Sequence, residues 1–456
     1  MNYQCHVHEP DRPGARRARS RWWAVRLAGV TGLALTTSLG LGGAPAIGTV
    51  DGPLAAAADD RPGKPDHAST DNKGHKGKGE QDRRKGAPVP CSADALVAAI
   101  TLANAHGGAV LDLAKDCTYL LTADIDGAGL PAITTPIILN GGTGTTIKRA
   151  AATDQFRILT VDTGGDLTIN HLTITGGHST SNGGAVLVNA GGTLTANRST
   201  ITRNIAGAAG GGISNFGITR INHSTVDRNT AAFSGGGVGS TAVLEISKSY
   251  ISANTADLGG GVSTEGAARI ENSAIAANYA QSLAGGLIME SGVGIVTDTR
   301  VTDNATTGTG GIFVGSGQFT LRRSTLAENT STENDGGGLR SNPEASVVIE
   351  DSLIKNNTAP AATADGGGIY SAGSLVLRRT KIIGNQAGDE GGGINNESTS
   401  TATLFATKVV KNIAGVQGGG IFNEPNGTVE LNTATGTTVV KNRPDNCSGD
   451  VPGCAG

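Results

Sequence analysis

One asparagine recurs every 24–30 residues, at Asn204, Asn229, Asn254, Asn278, Asn304, Asn329, Asn357, Asn385, Asn412 and Asn442. Each closes the same phrase: a Ser or Thr, any residue, an Ile, Val or Leu, two more residues, then Asn. Ser199–Asn204 and Ser324–Asn329 are two instances. A period of this length marks a stacked architecture in which each repeat touches only its neighbours.

Three apolar anchors accompany each Asn. The first precedes the Ser/Thr by three residues (Ile221, Ile246, Ile270, Val296, Leu321, Ile349, Leu377), and the second follows it by two (Ile201, Val226, Ile251, Ile275, Val301, Leu326, Ile354, Ile382, Val409). The third closes a glycine cluster (Ile213, Val238, Val262, Leu287, Ile312, Leu339, Ile369, Ile394, Ile421). Short β-branched runs bounded by Gly, Asn and Asp are strand chemistry. The spacing therefore predicts three strands per coil, and stacking at about 4.8 Å sets anchor on anchor. Roughly 11–13 coils form a rod on the order of 50–60 Å long. The expected fold is all-β, a right-handed parallel β-helix. In that arrangement the asparagines form a ladder, because an amide both donates and accepts where stacked Asp residues would repel. Asn also tolerates the left-handed backbone of a sharp corner, and the glycine clusters mark another corner.

Composition agrees. With 71 Gly among 456 residues and 3% aromatics, a core built on large rings is excluded, as is collagen for want of a Gly-X-Y period. Segments 1–58 and 59–88 are basic, whereas 89–456 holds 22 bases against 30 acids, a charge of −8. Such a domain offers no electrostatic reason to bind nucleic acid.

Five segments follow. Residues 1–58 are expected to be a signal-peptide region, with Arg16, Arg17, Arg19, Arg21 and Arg26 before the apolar run Leu27–Leu41. Twin-arginine export and a retained anchor stand as alternatives. Residues 59–90 lack apolar periodicity and read as a disordered charged linker. Residues 91–136 form an N-terminal cap, whose helix starts at the N-cap Ser92, stops at Gly107-Gly108 and turns Leu96, Ile100 and Ala103 inward. Such a helix would cover the open end of the stack. The repeats occupy 137–442, and 443–456 is a C-terminal cap. Cys91 with Cys117, and Cys447 with Cys454, read as one disulfide at each end in an oxidising compartment.

Catalytic signatures are sparse. No Gly-x-Ser-x-Gly, Gly-x-x-x-x-Gly-Lys or His-Glu-x-x-His occurs, nor do Asn-Thr-Asp, Gly-His-Gly or Arg-Ile-Lys. A lyase would need clustered acids for calcium, and a glycoside hydrolase two carboxylates about 5–10 Å apart. Before the repeat Ser/Thr run Lys248, Asn272, Asp298, Arg323, Asp351 and Arg379, preceded by Ser247, Glu271, Thr297, Arg322, Glu350 and Arg378. The sign alternates from Asp298 onward, which predicts an ion-pair ladder between stacked coils. Asp298, Asp303 and Asp351 are the candidate catalytic residues that remain. His171 and His223 read as strand residues, and Tyr250, Tyr279 and Tyr370 are too scattered for a sugar platform. Repeat length varies most between Asn and the post-glycine anchor, at 339–349 and at 394–404. Those loops are where a ligand would bind.

The paired phrases Gly-Gly-Gly-Ile and Val/Ile-x-x-Asn resemble the repeats of bacterial polymorphic-outer-membrane-type proteins, within the right-handed β-helix, pectin-lyase-like class. The flanks Pro90-Cys-Ser-Ala-Asp-Ala-Leu96 and Asn442-Arg-Pro-Asp-Asn-Cys447 are similar to those of secreted actinobacterial β-helix proteins. The resemblance implies surface adhesion or polysaccharide chemistry. The outer-membrane family's second phrase usually carries Phe, which is absent here, and no autotransporter barrel is expected after Cys454. The resulting expectation is a secreted, extracellular or wall-associated monomeric scaffold that presents a surface to polysaccharide or cell-surface protein. It carries no membrane span after signal removal and no cofactor. The alternative is a polysaccharide lyase, hydrolase or epimerase, and calcium enters only with the lyase.

Overall fold

The computed structural model describes residues 86–455. The expected signal region, residues 59–85 of the expected linker and Gly456 lie outside the described residues. The rest is a parallel β-solenoid of about 13 turns.

Each regular coil runs through the elements the spacing predicts. In one coil, Ile213–Asn215 leads to Ile218–Asn222 and then Thr225–Asp227. The first two strand sets belong to one sheet of 24 strands, joined where Ile312–Arg322 and Leu339–Glu350 run through the corner unbroken. The third set builds a 13-stranded sheet. A fourth, short strand follows most of the ladder asparagines, two residues long at Ile205–Ala206 and Thr230–Ala231 but longer at Thr255–Leu258 and Tyr279–Leu283, and nine strands of this set form the third sheet. Strands this short carry no period-2 signal, so no sequence pattern announces them.

Pairing is parallel and keeps the repeats in register: Ile213 lies on Val238 and Val238 on Val262. Ile221, Val226 and Ile251 are likewise fully buried. These stacks merge into one continuous apolar core. The glycine corner needs its glycines for two reasons. Gly235 sits at φ 64°, and a Cβ on Gly237 would come within 2.7 Å of the Gly261 carbonyl oxygen in the next coil.

At the N-terminal end, the helix Ala93–Ala105 is capped by Ser92 and buries Leu96, Ile100 and Ala103 on the stack. Cys91 is bonded to Cys117, and Cys447 to Cys454. The strand Ala87–Val89, inside the stretch that sequence assigned to the linker, pairs with Ala109–Leu113 and begins the ordered cap. Pro88 has no N–H to donate, so it fits only an outermost strand of this kind.

Candidate functional site

Two columns of side chains turn the corners on either side of the third strand. In the Asn column each Nδ2 donates to the Oδ1 of the next coil at 2.9–3.0 Å, from Asn204 through to Asn442. Asn446 continues the column with a bond of 3.3 Å. The same Oδ1 accepts the backbone N–H of the preceding Asn, and Nδ2 also donates to a carbonyl one coil back. All four hydrogen-bonding positions used by each amide are thus internal. The left-handed residue is not the Asn, as sequence suggested, but the one before it: Arg203, Arg228, Asp303, Glu328 and Lys411 all have φ of 53–59°. The inward Asn repairs the hydrogen bonding that this kink breaks.

The Ser/Thr column works likewise. Backbone N–H groups of Ser199, Ser224, Ser249, Ser273, Thr299 and Ser324 donate to the hydroxyl of the following coil at 3.0–3.2 Å. Here too the preceding residue is left-handed, including His171 (φ 54°), His223 (φ 50°), Asp298 (φ 50°) and Asp351 (φ 51°). His171 and His223 are therefore corner residues rather than strand residues.

This places the three sequence candidates. Asp298, Asp303 and Asp351 are all exposed left-handed corner residues. Asp298 takes a bidentate pair from Arg323 (2.9 and 2.7 Å), and Asp351 one from Arg379 (2.6 and 2.9 Å). Hydrogen bonding from those guanidinium groups holds both carboxyls below the ordinary range. Glu350 bridges Arg322 and Arg378. The alternating signs are thus spent between coils, and the structure brings the three aspartates into no common cleft.

A different cluster stands on the strands that follow the glycines. Their middle residues point away from the core and stack in register as Phe313, Arg340, Tyr370, Asn395 and Phe422. Toward the N-terminus this row is sealed by apolar side chains, with Ile288 and Phe313 packed against Leu258, Leu283 and Ala284. From Arg340 onward the wall becomes acidic. Asp335, Asp365 and Glu390 occupy successive coils just before the glycines, and Glu397 and Glu424 act on the row from the other side.

The acidic wall is a column in its own right. Asp335 Oδ1 accepts the N–H of Asp365 (3.0 Å), and Asp365 Oδ1 accepts that of Glu390 (2.9 Å). Gln417 donates to Glu390 (2.8 Å), and Ser448 to Gln417 (2.9 Å). Burial raises the Asp335 carboxyl, and burial with neighbouring acids pushes Asp365 up to about 8. Asp365 is therefore a neutral acid near pH 7, able to donate a hydrogen bond. Burial also raises Tyr370. The Arg340 guanidinium pairs with Asp335 (3.4 Å) and lies 5.0 Å over the Tyr370 ring.

Asn395 is the decisive member. It is 0% exposed, and neither amide atom has a hydrogen-bond partner. An unpaired buried amide costs about 1–3 kcal/mol, so its persistence requires a ligand-side explanation or a water. At Phe422, the register partner of Asn395 in the next coil, a cleft opens between Gln417, Glu424, Asn426, Ser448 and Asp450; Asn395 lies outside its lining. Among the described residues, no three His, Cys, Asp or Glu are grouped to hold a metal ion.

A family model described as "Right handed beta helix region" matches residues 237–412. That match and the parallel solenoid together support a β-helix repeat protein. No curated protein and no solved structure matches it. The matched span contains most of the Asn column and the row members Arg340, Tyr370 and Asn395, and it stops short of the cleft at Phe422. It speaks to the fold that carries the cleft and leaves the cleft's chemistry to its own residues.

Proposed function

We propose that this β-helix protein is an exported scaffold that binds a glycan in the cleft at Phe422, a groove at the end of the row Arg340, Tyr370 and Asn395. The carrying observation is the buried, unpartnered Asn395 amide on a floor flanked by carboxyls. Sugar hydroxyls need both donors and acceptors, and this wall offers both kinds: the amide, the neutral Asp365 acid and ionised carboxylates. Phe422 lines the cleft and adds an apolar edge for sugar C–H surfaces. The two terminal disulfides suit an oxidising compartment, so export remains the expected context. No helix of the described residues is long and apolar enough to cross a membrane.

A second reading, a polysaccharide lyase, hydrolase or epimerase, draws support from Asp365. A carboxyl protonated near neutrality is the state a general acid requires. Both readings meet in one experiment: the purified chain is screened against neutral and acidic polysaccharides, with and without calcium, for binding and for product. Binding that Asn395→Ala weakens at least about tenfold, without product formation, supports the scaffold. Turnover lost in Asp365→Asn supports the enzyme. Binding indifferent to both substitutions removes the groove from either reading.

A further inference from the structure

The 13-stranded sheet and the corner after it carry a feature that neither the acidic wall nor the core uses. Near the C-terminal end, Lys381 and Lys408 are register partners on adjacent coils. Lys411 and Lys441 occupy the left-handed position before Asn412 and Asn442, again on adjacent coils. Ile413 bridges to Arg443, and a cavity lies between Lys411, Ile413, Lys441 and Arg443, with the side of the Asn column at its back.

All five cations are exposed, and none belongs to the nine ion pairs among the described residues. This departs from the pattern elsewhere on the rod, where Asp298 and Arg323, or Glu328 and Lys355, set opposite charges on neighbouring coils. Like charges in directly opposed strand positions are destabilising. Asp445, an acid close in sequence, directs its Oδ1 to the Gly419 N–H. Val440 and Ile413 are 43% and 44% exposed, which adds aliphatic surface beside the charges.

We propose that the cavity between Lys411, Lys441 and Arg443, extended by Lys381 and Lys408, is a binding site for a linear polyanion. The charges recur coil by coil at about 4.8 Å along the rod, which suits a polymer bearing a negative group on each unit better than an isolated anion. Phosphate and carboxylate polymers share that chemistry. Several contacts of this kind release counterions on binding, so affinity falls steeply with salt.

The test titrates the full chain with polyphosphate, polygalacturonate and a neutral glucan across a salt series, together with vesicles of anionic lipid. Lys411→Glu with Lys441→Glu is the informative variant. Glu328 already occupies the equivalent corner position at φ 59°, so Glu suits that backbone. Wild type is expected to bind at least one polyanion at low salt with a linear loss of log affinity against log salt. The double variant is expected to lose at least about tenfold while circular dichroism and melting midpoint stay unchanged. Lys381→Gln with Lys408→Gln should weaken binding less. The site is overturned if the Glu variant binds like wild type, if neither polyanion binds at low salt, or if only vesicles are retained. Glucan binding lost through Asn395→Ala but kept in the Lys variants would show that this site and the groove are separate.

Discussion

The Asn column and the acidic column solve the same problem with different side chains. In each, a side-chain oxygen captures a backbone N–H of the adjacent coil where the chain turns a corner. The Asn column closes on itself: each amide gives and receives within the stack, and Asn204, Asn229, Asn254 and Asn304 are fully buried. The acidic column stays open. Asp335 gives its second oxygen to Arg340, Asp365 retains one beyond the oxygen that holds an N–H, and the neighbouring Asn395 is unpaired. A saturated column gives stability and nothing to bind with. An unsaturated one loses stability and keeps capacity for a ligand.

The strongest way to break that contrast is within the saturated column. Asn304→Ala removes the acceptor of the Asn278 N–H and Nδ2 and leaves the Ile275 carbonyl and the Asn329 Oδ1 short of a donor. At about 1–3 kcal/mol per orphaned group, a loss on the order of 4 kcal/mol is expected. Chemical denaturation followed by circular dichroism measures it. A cost under about 1 kcal/mol would mean that water replaces the ladder.

In the unsaturated column the sign should reverse. Asn395→Leu removes an amide that makes no hydrogen bond, so stability should rise by about 1 kcal/mol while glycan affinity falls. A destabilised variant would show that the amide is satisfied in solution. The pH dependence is a subtler probe. Asp365 is raised to about 8, so between the unfolded carboxyl value and about 8 the folded state binds the extra proton. Stability from this group is therefore present at low pH and lost as pH rises through about 8. Asp365→Asn should flatten the fall in melting midpoint across that range. The smallest effect belongs to the outer corner: Asp298→Ala and Asp351→Ala break exposed pairs and should leave the melting midpoint and any turnover unchanged, because water screens them. Turnover abolished by either would restore them as catalytic candidates.

Much of this architecture was legible beforehand because a stacked fold writes its geometry at a fixed period. Ile221, Val226 and Val238 recur at matching places in successive coils, and burial follows from that recurrence. Variation in loop length pointed to 339–349 and 394–404, which hold Arg340 and Asn395. The groove itself was not legible. Asp335, Asp365 and Glu390 are 30 and 25 residues apart and sit in the segments whose length varies, so no spacing links them. Asp298 and Asp351 drew attention because they fall in the regular part, where regularity belongs to the scaffold.

Sequence alone determined the period, the three anchors, the Asn column, both cystine pairs and the capping helix, since each follows from local chemistry repeated or placed at an end. Tertiary structure alone decided which backbone position turns left-handed at each corner and where the short fourth strands lie. It also decided which acids become neighbours. That last decision depends on how loops of unequal length project from adjacent coils, and only the stacked coils bring Asp335, Asp365, Tyr370 and Asn395 together.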